Sequence, residues 1–229
     1  MLHIGIVACS TEGAALCYRT ISLEGGRMIG RHDHPEVSLH SFSLAEYMKC
    51  IDANDWAGVA ELMRGSAEKL AKAGADFLIC PDNTIHQAFD LVEHRSPRPW
   101  LHIAREVAAE AKRHGHRRLA VLGTRYLMEG PVYREALKAA GIEHRIPGAE
   151  QREHINHIIF DELVNGQFLP RSLAYHIEVI RELKDEGCDA VVLGCTEIPL
   201  LVAAEDSPLP TLDSTRLLAR AAVLKAVEG

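Results

Sequence analysis

The chain has 229 residues, 47% of them apolar, and a formal net charge of −7. This composition can fill buried cores and excludes a disordered chain. With no long basic run it also excludes the clustered cations on which nucleic-acid binding rests. Met1-Leu2-His3 lacks the basic start of a secretory leader, and no apolar run approaches the ~18 residues of a membrane span. Six cysteines without a CxxC pair fit reduced thiols. A cytoplasmic protein is expected, with neither membrane nor nucleic acid as partner.

In chain order, Ile4 to Ala8 reads as a buried strand, followed by a loop from Cys9 to Gly13. Ala14 to Leu23 is alanine-rich and predicted helical, with Ser10 or Thr11 at its N-cap. A helix N-terminus aimed at a ligand site favours anions, because its first N–H groups are unpaired. Arg27 to Pro35 reads as irregular and Val37 to Phe42 as a second strand. Leu44 to Ile51 and Trp56 to Ala73 read as amphipathic helices, the second ended by Gly74. Phe77 to Cys80 is a strand leading into Asp82.

Ser96-Pro97-Arg98-Pro99 reads as a linker between domains, since its prolines block both helix and ladder donation. Ile103 to His114 then opens a second set: a strand at Leu119 to Leu122, a helix from Pro131 and an edge strand at Ile142 to Ile146. Helices follow at Gln151 to Gly166 and Ser172 to Glu186, then a strand at Asp189 to Leu193. Pro208-Leu209-Pro210 marks a return, and Ser214 to Val227 is a final helix.

The two sets echo each other. With Gly74 aligned on Gly187, Asp76 falls on Asp189, Asp82 on Cys195, Asn83 on Thr196 and Thr84 on Glu197. The stretch from residue 3 to 21 likewise resembles 118 to 137, with Ser10 or Thr11 near Thr124 and Tyr18 near Tyr133. The expected fold is α/β: two pseudo-symmetric three-layer lobes, each a short, mainly parallel sheet flanked by helices, with the active site in a cleft between them. The expected boundaries are 1–97 plus 208–229 for one lobe and 98–207 for the other, each near the common domain size of about 100 residues.

Gly194-Cys195-Thr196 stands just past the apolar run Ala190 to Leu193, at a strand's carboxyl end, where open α/β sheets bind ligands. Read alone, Cys195 is as readily a small buried hydrophobe. The matched loop Asp82-Asn83-Thr84-Ile85-His86 favours a functional thiol instead. Together with GIVACSTEGAALCYRTI at the start, these loops resemble the aspartate/glutamate racemase superfamily over nearly the whole chain. That superfamily pairs a Cys-Asn-Thr loop with a Gly-Cys-Thr-Glu loop. The second is intact here as Gly194 to Glu197; the first carries Asp82 in place of cysteine.

The resemblance implies an amino-acid racemase that needs no metal or cofactor, acting on an aspartate- or glutamate-like substrate, and a homodimer. Its final helix is expected to pack back on the first lobe. Cys195 and Asp82 are then the acid/base pair; Ser10, Asn83, Thr84, Thr124 and Thr196 are candidate donors to the substrate carboxylate, and Glu197 orients its loop. A thiol suits proton abstraction because its ordinary pKa of about 8.5 leaves some thiolate near neutrality. A carboxyl, ordinarily near 3.9, needs desolvation or a nearby thiolate to hold a proton there.

Asp82 reads alternatively as a cap for a helix starting near Thr84, which would leave a one-thiol site suited to a decarboxylase. A dicarboxylate cis–trans isomerase and a non-catalytic carboxylate binder are the other readings. Arg19, Lys49 and Arg125 are candidates for a distal carboxylate. His32-Asp33-His34 and His154/His157 have ligand-like spacing but no third ligand at a recognised interval, so no metal is expected.

Overall fold

The computed structural model describes residues 1–229. The chain divides into two compact units, Met1–Ile103 with Thr215–Gly229, and Ala104–Ser214. Each is built around one four-stranded parallel sheet.

The first unit runs β1 (Ile4–Ala8), α1 (Thr11–Met28), β2 (Val37–Ser41), α2 (Leu44–Asp52), α3 (Trp56–Lys72), β3 (Phe77–Ile79), α4 (Phe89–Glu93) and β4 (Trp100–Leu101). The second runs α5 (Ile103–Arg113), β5 (Arg118–Leu122), α6 (Arg125–Glu129), α7 (Pro131–Ala140), β6 (Glu143–Arg145), α8 (Ala149–His157), α9 (Pro170–Asp185), β7 (Ala190–Leu193), α10 (Ile198–Leu201) and β8 (Thr211–Asp213). Helix α11 (Ser214–Glu228) belongs to the first unit from Thr215 onward. The sheet orders are β2-β1-β3-β4 and β6-β5-β7-β8, the same topology twice.

The repeat read from the sequence has a physical basis. Gly74 and Gly187 both take left-handed φ, +99° and +91°, which end α3 and α9 at no steric cost. Two residues on, Asp76 accepts the His3 amide at 2.8 Å, and Asp189 accepts the Arg117 amide at 2.7 Å. Each carboxylate thus holds the entry of one central strand beside its neighbour.

The units meet a few residues from the expected boundaries, at 103/104 and 214/215 rather than 97/98 and 207/208. Pro99 offers its carbonyl to the Leu78 amide and Pro210 to the Val191 amide, at 2.8 and 2.9 Å. Each proline therefore leads an edge strand, β4 or β8, where the missing N–H costs no ladder bond. Residues 98–103 stay with the first unit. The segment 208–214 stays with the second.

Other differences are local. Helix α1 runs on to Met28, α6 was not foreseen, and the stretch after His157 leaves α geometry for a wide π turn and a 3-10 turn. There Glu162 is held by Arg171 and Ser172, while Ile158, Ile159 and Leu163 stay in the core.

Ile4, Ile6, Phe77 and Ile79 of the first sheet pack on Leu218, Ala219, Ala222, Val223 and Ala226 of α11, so the last helix completes the first core. Burying the Ile, Phe, Leu and Val side chains among them contributes about 1.5–3 kcal/mol each. The second core joins Ala120, Leu122, Val191 and Leu193 to Val179, Ile180 and Leu183 of α9.

Candidate active site

In each unit the candidate residues gather at the carboxyl ends of the two central strands. In the second unit, Gly194 makes this possible. Its amide bonds the Leu122 carbonyl at 2.7 Å, and a Cβ there would lie 2.8 Å from that oxygen and 2.6 Å from a Leu127 methyl. Gly123 faces it, with the Gly194 carbonyl 3.3 Å from where a Cβ would stand. Two glycines let the strand ends close together and deliver the next residue, Cys195, to the tip. Ser214, fully buried, donates its hydroxyl to the Leu193 carbonyl at 3.0 Å and fixes the same strand end.

Cys195 is 8% exposed. Its thiol donates to Glu197 Oε2 at 2.9 Å, and the Thr196 hydroxyl donates to the same oxygen at 2.6 Å. Glu197 is itself 3% exposed, so this carboxylate is turned inward on two donors from its own loop. The arrangement fixes the thiol rotamer and supplies an acceptor for the thiol proton. Thr124 caps α6, its hydroxyl accepting the Leu127 amide at 3.2 Å, and it is buried beside the Gly123 turn.

In the first unit, Ser10 holds the matching N-cap position of α1 and is 9% exposed. Asp82, half-buried, follows β3, with buried Asn83 and half-buried Thr84 next to it. The N-cap of the 3-10 turn over Thr84–Ala88 is Asn83, not Asp82. His86 holds this loop by its backbone. Its Nε2 accepts the Ile103 amide at 3.4 Å, so Nδ1 carries the proton and donates to the Asp82 carbonyl at 2.8 Å. The Cys80 thiol reaches the same carbonyl at 3.7 Å. Burial pushes the Cys80 thiol well up, and the Asp82 charge adds to it, so Cys80 stays a protonated core group.

Tyr47 was not singled out in the sequence, where it reads only as one residue of an amphipathic helix. It is fully buried; its phenol is pushed up first by burial and then by Cys80, Cys9 and Asp82. Of the distal-carboxylate candidates, Arg19 and Lys49 are exposed, and Arg125 pairs with Glu153 at 3.4 Å. His154 packs edge-on against Tyr175, and His157 stands 3.6 Å from Glu153. No group of three or more His, Cys, Asp or Glu is placed to hold a metal ion. No helix is long and apolar enough to cross a membrane.

Two four-stranded parallel sheets with one topology, each ending in a polar loop, match the architecture of the racemases that the sequence resembles. The family model for Asp/Glu/Hydantoin racemase matches residues 6–222, and the chain belongs to that family of isomerases. A candidate Asp/Glu racemase from Yersinia pestis superposes with a TM-score of 0.91 at 34% identity, covering 99% of this chain and all of that one (100%). An aspartate racemase homologue from Pyrococcus horikoshii OT3 gives 0.86 at 28% identity, with 99% and 100% covered. The broad specificity amino-acid racemase RacX of Bacillus subtilis (strain 168) is 25% identical over 195 residues, 83% of this chain and 82% of that protein.

Proposed function

We propose that the protein racemises or epimerises a small amino acid, aspartate- or glutamate-like, at its α-carbon without a cofactor. The observation that carries this reading is the Cys195 thiol held 2.9 Å from the inward-turned Glu197 carboxylate at the end of β7. Glu197 takes the thiol proton, and the thiolate removes the α-proton of the substrate. Electrons of the broken Cα–H bond pass onto the substrate carboxylate. Donors such as Thr124, Thr196, Ser10, Asn83 and Thr84 bind that carboxylate more tightly as its charge grows.

Asp82, protonated, returns a proton to the opposite face, forming the new Cα–H bond and becoming a carboxylate. The reverse direction exchanges the two roles. Support for pairing these residues is that each stands eight residues after the matching left-handed glycine, on the equivalent strand of the same topology. Because Asp82 replaces a thiol, a one-base decarboxylase is the second reading.

The test is incubation with a panel of single-enantiomer amino acids, including aspartate and glutamate, in deuterated water; the breadth of the panel follows from the specificity named for the Bacillus subtilis relative. The expected result is deuterium at the α-carbon together with the opposite enantiomer. Cys195→Ala should lower both by at least about a thousandfold while leaving the fold intact. Carbon dioxide release from a malonate-type substrate, with no exchange on amino acids, would favour the decarboxylase.

A further inference from the structure

A separate feature of the second unit is a groove of about 460 Å³ between the C-terminal half of α7 and the edge strand β6. It is lined by Arg134, Lys138, His144 and Arg145 together with Glu143 and the turn Gly141-Ile142. Arg134 and Lys138 stand one turn apart on α7, so both project from one face. Neither makes an ion pair, and Arg145 reaches only the His144 carbonyl, at 3.4 Å. The Glu143 carboxylate is taken up by the Arg118 guanidinium, whose Nε and Nη2 both donate to it, at 2.8 and 2.6 Å.

Three exposed cations thus line one concavity, with Glu143 its one carboxylate and that carboxylate already bonded to Arg118, in a chain whose net charge is −7. Lys138 in the last turn complements the helix dipole, Arg145 acts on Glu143 from a distance, and Arg134 makes no ion pair. His144 records the resulting field: burial, then Arg134 and Arg145, lower its pKa below 6.5. Like charges held together in a recess attract an anion, and two guanidinium forks with one ammonium fit the oxygens of phosphate groups.

We propose that this groove binds a phosphate-bearing small molecule of at least two negative charges. Its volume lies within the range of about 300–1,000 Å³ for small-molecule sites. The inference stands on the second unit alone and holds whatever reaction the protein catalyses.

Titration calorimetry of the full chain with sodium pyrophosphate, at ionic strength fixed with sodium chloride, tests it. One site per chain is expected. Arg134→Gln and Lys138→Gln should each weaken binding by about tenfold, the loss of one charge-assisted contact. The control variants Arg64→Gln and Lys72→Gln, in the first unit, should leave it unchanged. The His144 imidazole, followed by NMR, should titrate at higher pH when pyrophosphate is bound. Absence of a saturable site, or equal weakening by the Arg64 and Lys72 variants, would overturn the proposal. Citrate matching pyrophosphate in affinity would overturn the assignment to phosphate.

Discussion

The loops after β3 and β7 occupy the same place in the same topology, yet they are held in different ways. After β7, the side chains do the holding: the thiol of Cys195 and the hydroxyl of Thr196 share one oxygen of Glu197. After β3, the backbone is held: the carbonyl of Asp82 takes the imidazole proton of His86, and the Cys80 thiol lies nearby. One loop presents a buried thiol with an acceptor attached; the other presents a half-buried carboxyl on a fixed main chain. Duplicated architecture therefore fixes where the two candidate side chains stand, while each loop's own residues set the hydrogen bonds that hold it.

Removing the feature peculiar to the β7 loop should have the larger effect on turnover. Glu197→Gln keeps the shape and loses the acceptor for the thiol proton. Its kcat should fall about a hundredfold with KM little changed. Steady-state kinetics in both directions reads this; an unchanged kcat would mean that Glu197 only packs the loop.

Gly194→Ala attacks the strand ends themselves. The added methyl meets the Leu122 carbonyl and a Leu127 methyl, so a loss of about 1–3 kcal/mol is expected in urea unfolding. Activity should fall with it, because Cys195 is the next residue.

The smallest effect concerns pH and two buried histidines. In the first unit His3 is served by Ser38 at 3.0 Å and stands 3.8 Å from Glu36. In the second, His176 bonds the Ser172 carbonyl through Nδ1, while its buried Nε2 has no hydrogen-bond partner. Burial lowers the His176 pKa, more than the Ser172 bond raises it. The folded state therefore binds this proton less readily than the unfolded chain. Stability is fully present above about pH 6.5 and declines as pH falls towards the lowered pKa. His176→Phe should flatten that part of a thermal-melting profile; an unaltered profile would assign the acid sensitivity elsewhere.

The sequence carried the strands that lie deepest, since Ile4 to Ala8 and Ala190 to Leu193 are unbroken apolar runs. It also carried the repeat, because the left-handed glycines and the aspartates two residues on are constrained by backbone geometry. It did not carry β4 and β8. Strands of two and three residues behind prolines have no periodicity to read. The echo was also too generous to Tyr18 and Tyr133: the first is 47% exposed and the second 2%. Among the site residues, Cys195 was visible from its motif, but its bond to Glu197 was not, since residues two apart in a loop can face anywhere. Tyr47 was hidden because a buried helix tyrosine looks like any core residue.

The most direct test of the two-base account is Asp82→Asn in deuterated water, with each enantiomer of the substrate supplied separately. The account predicts that net racemisation stops, while the enantiomer whose α-proton faces Cys195 still exchanges its hydrogen for deuterium. Asp82→Cys should restore turnover in both directions. Two-way racemisation by Asp82→Asn at the unaltered rate would contradict the account and leave Cys195 without a partner of this kind.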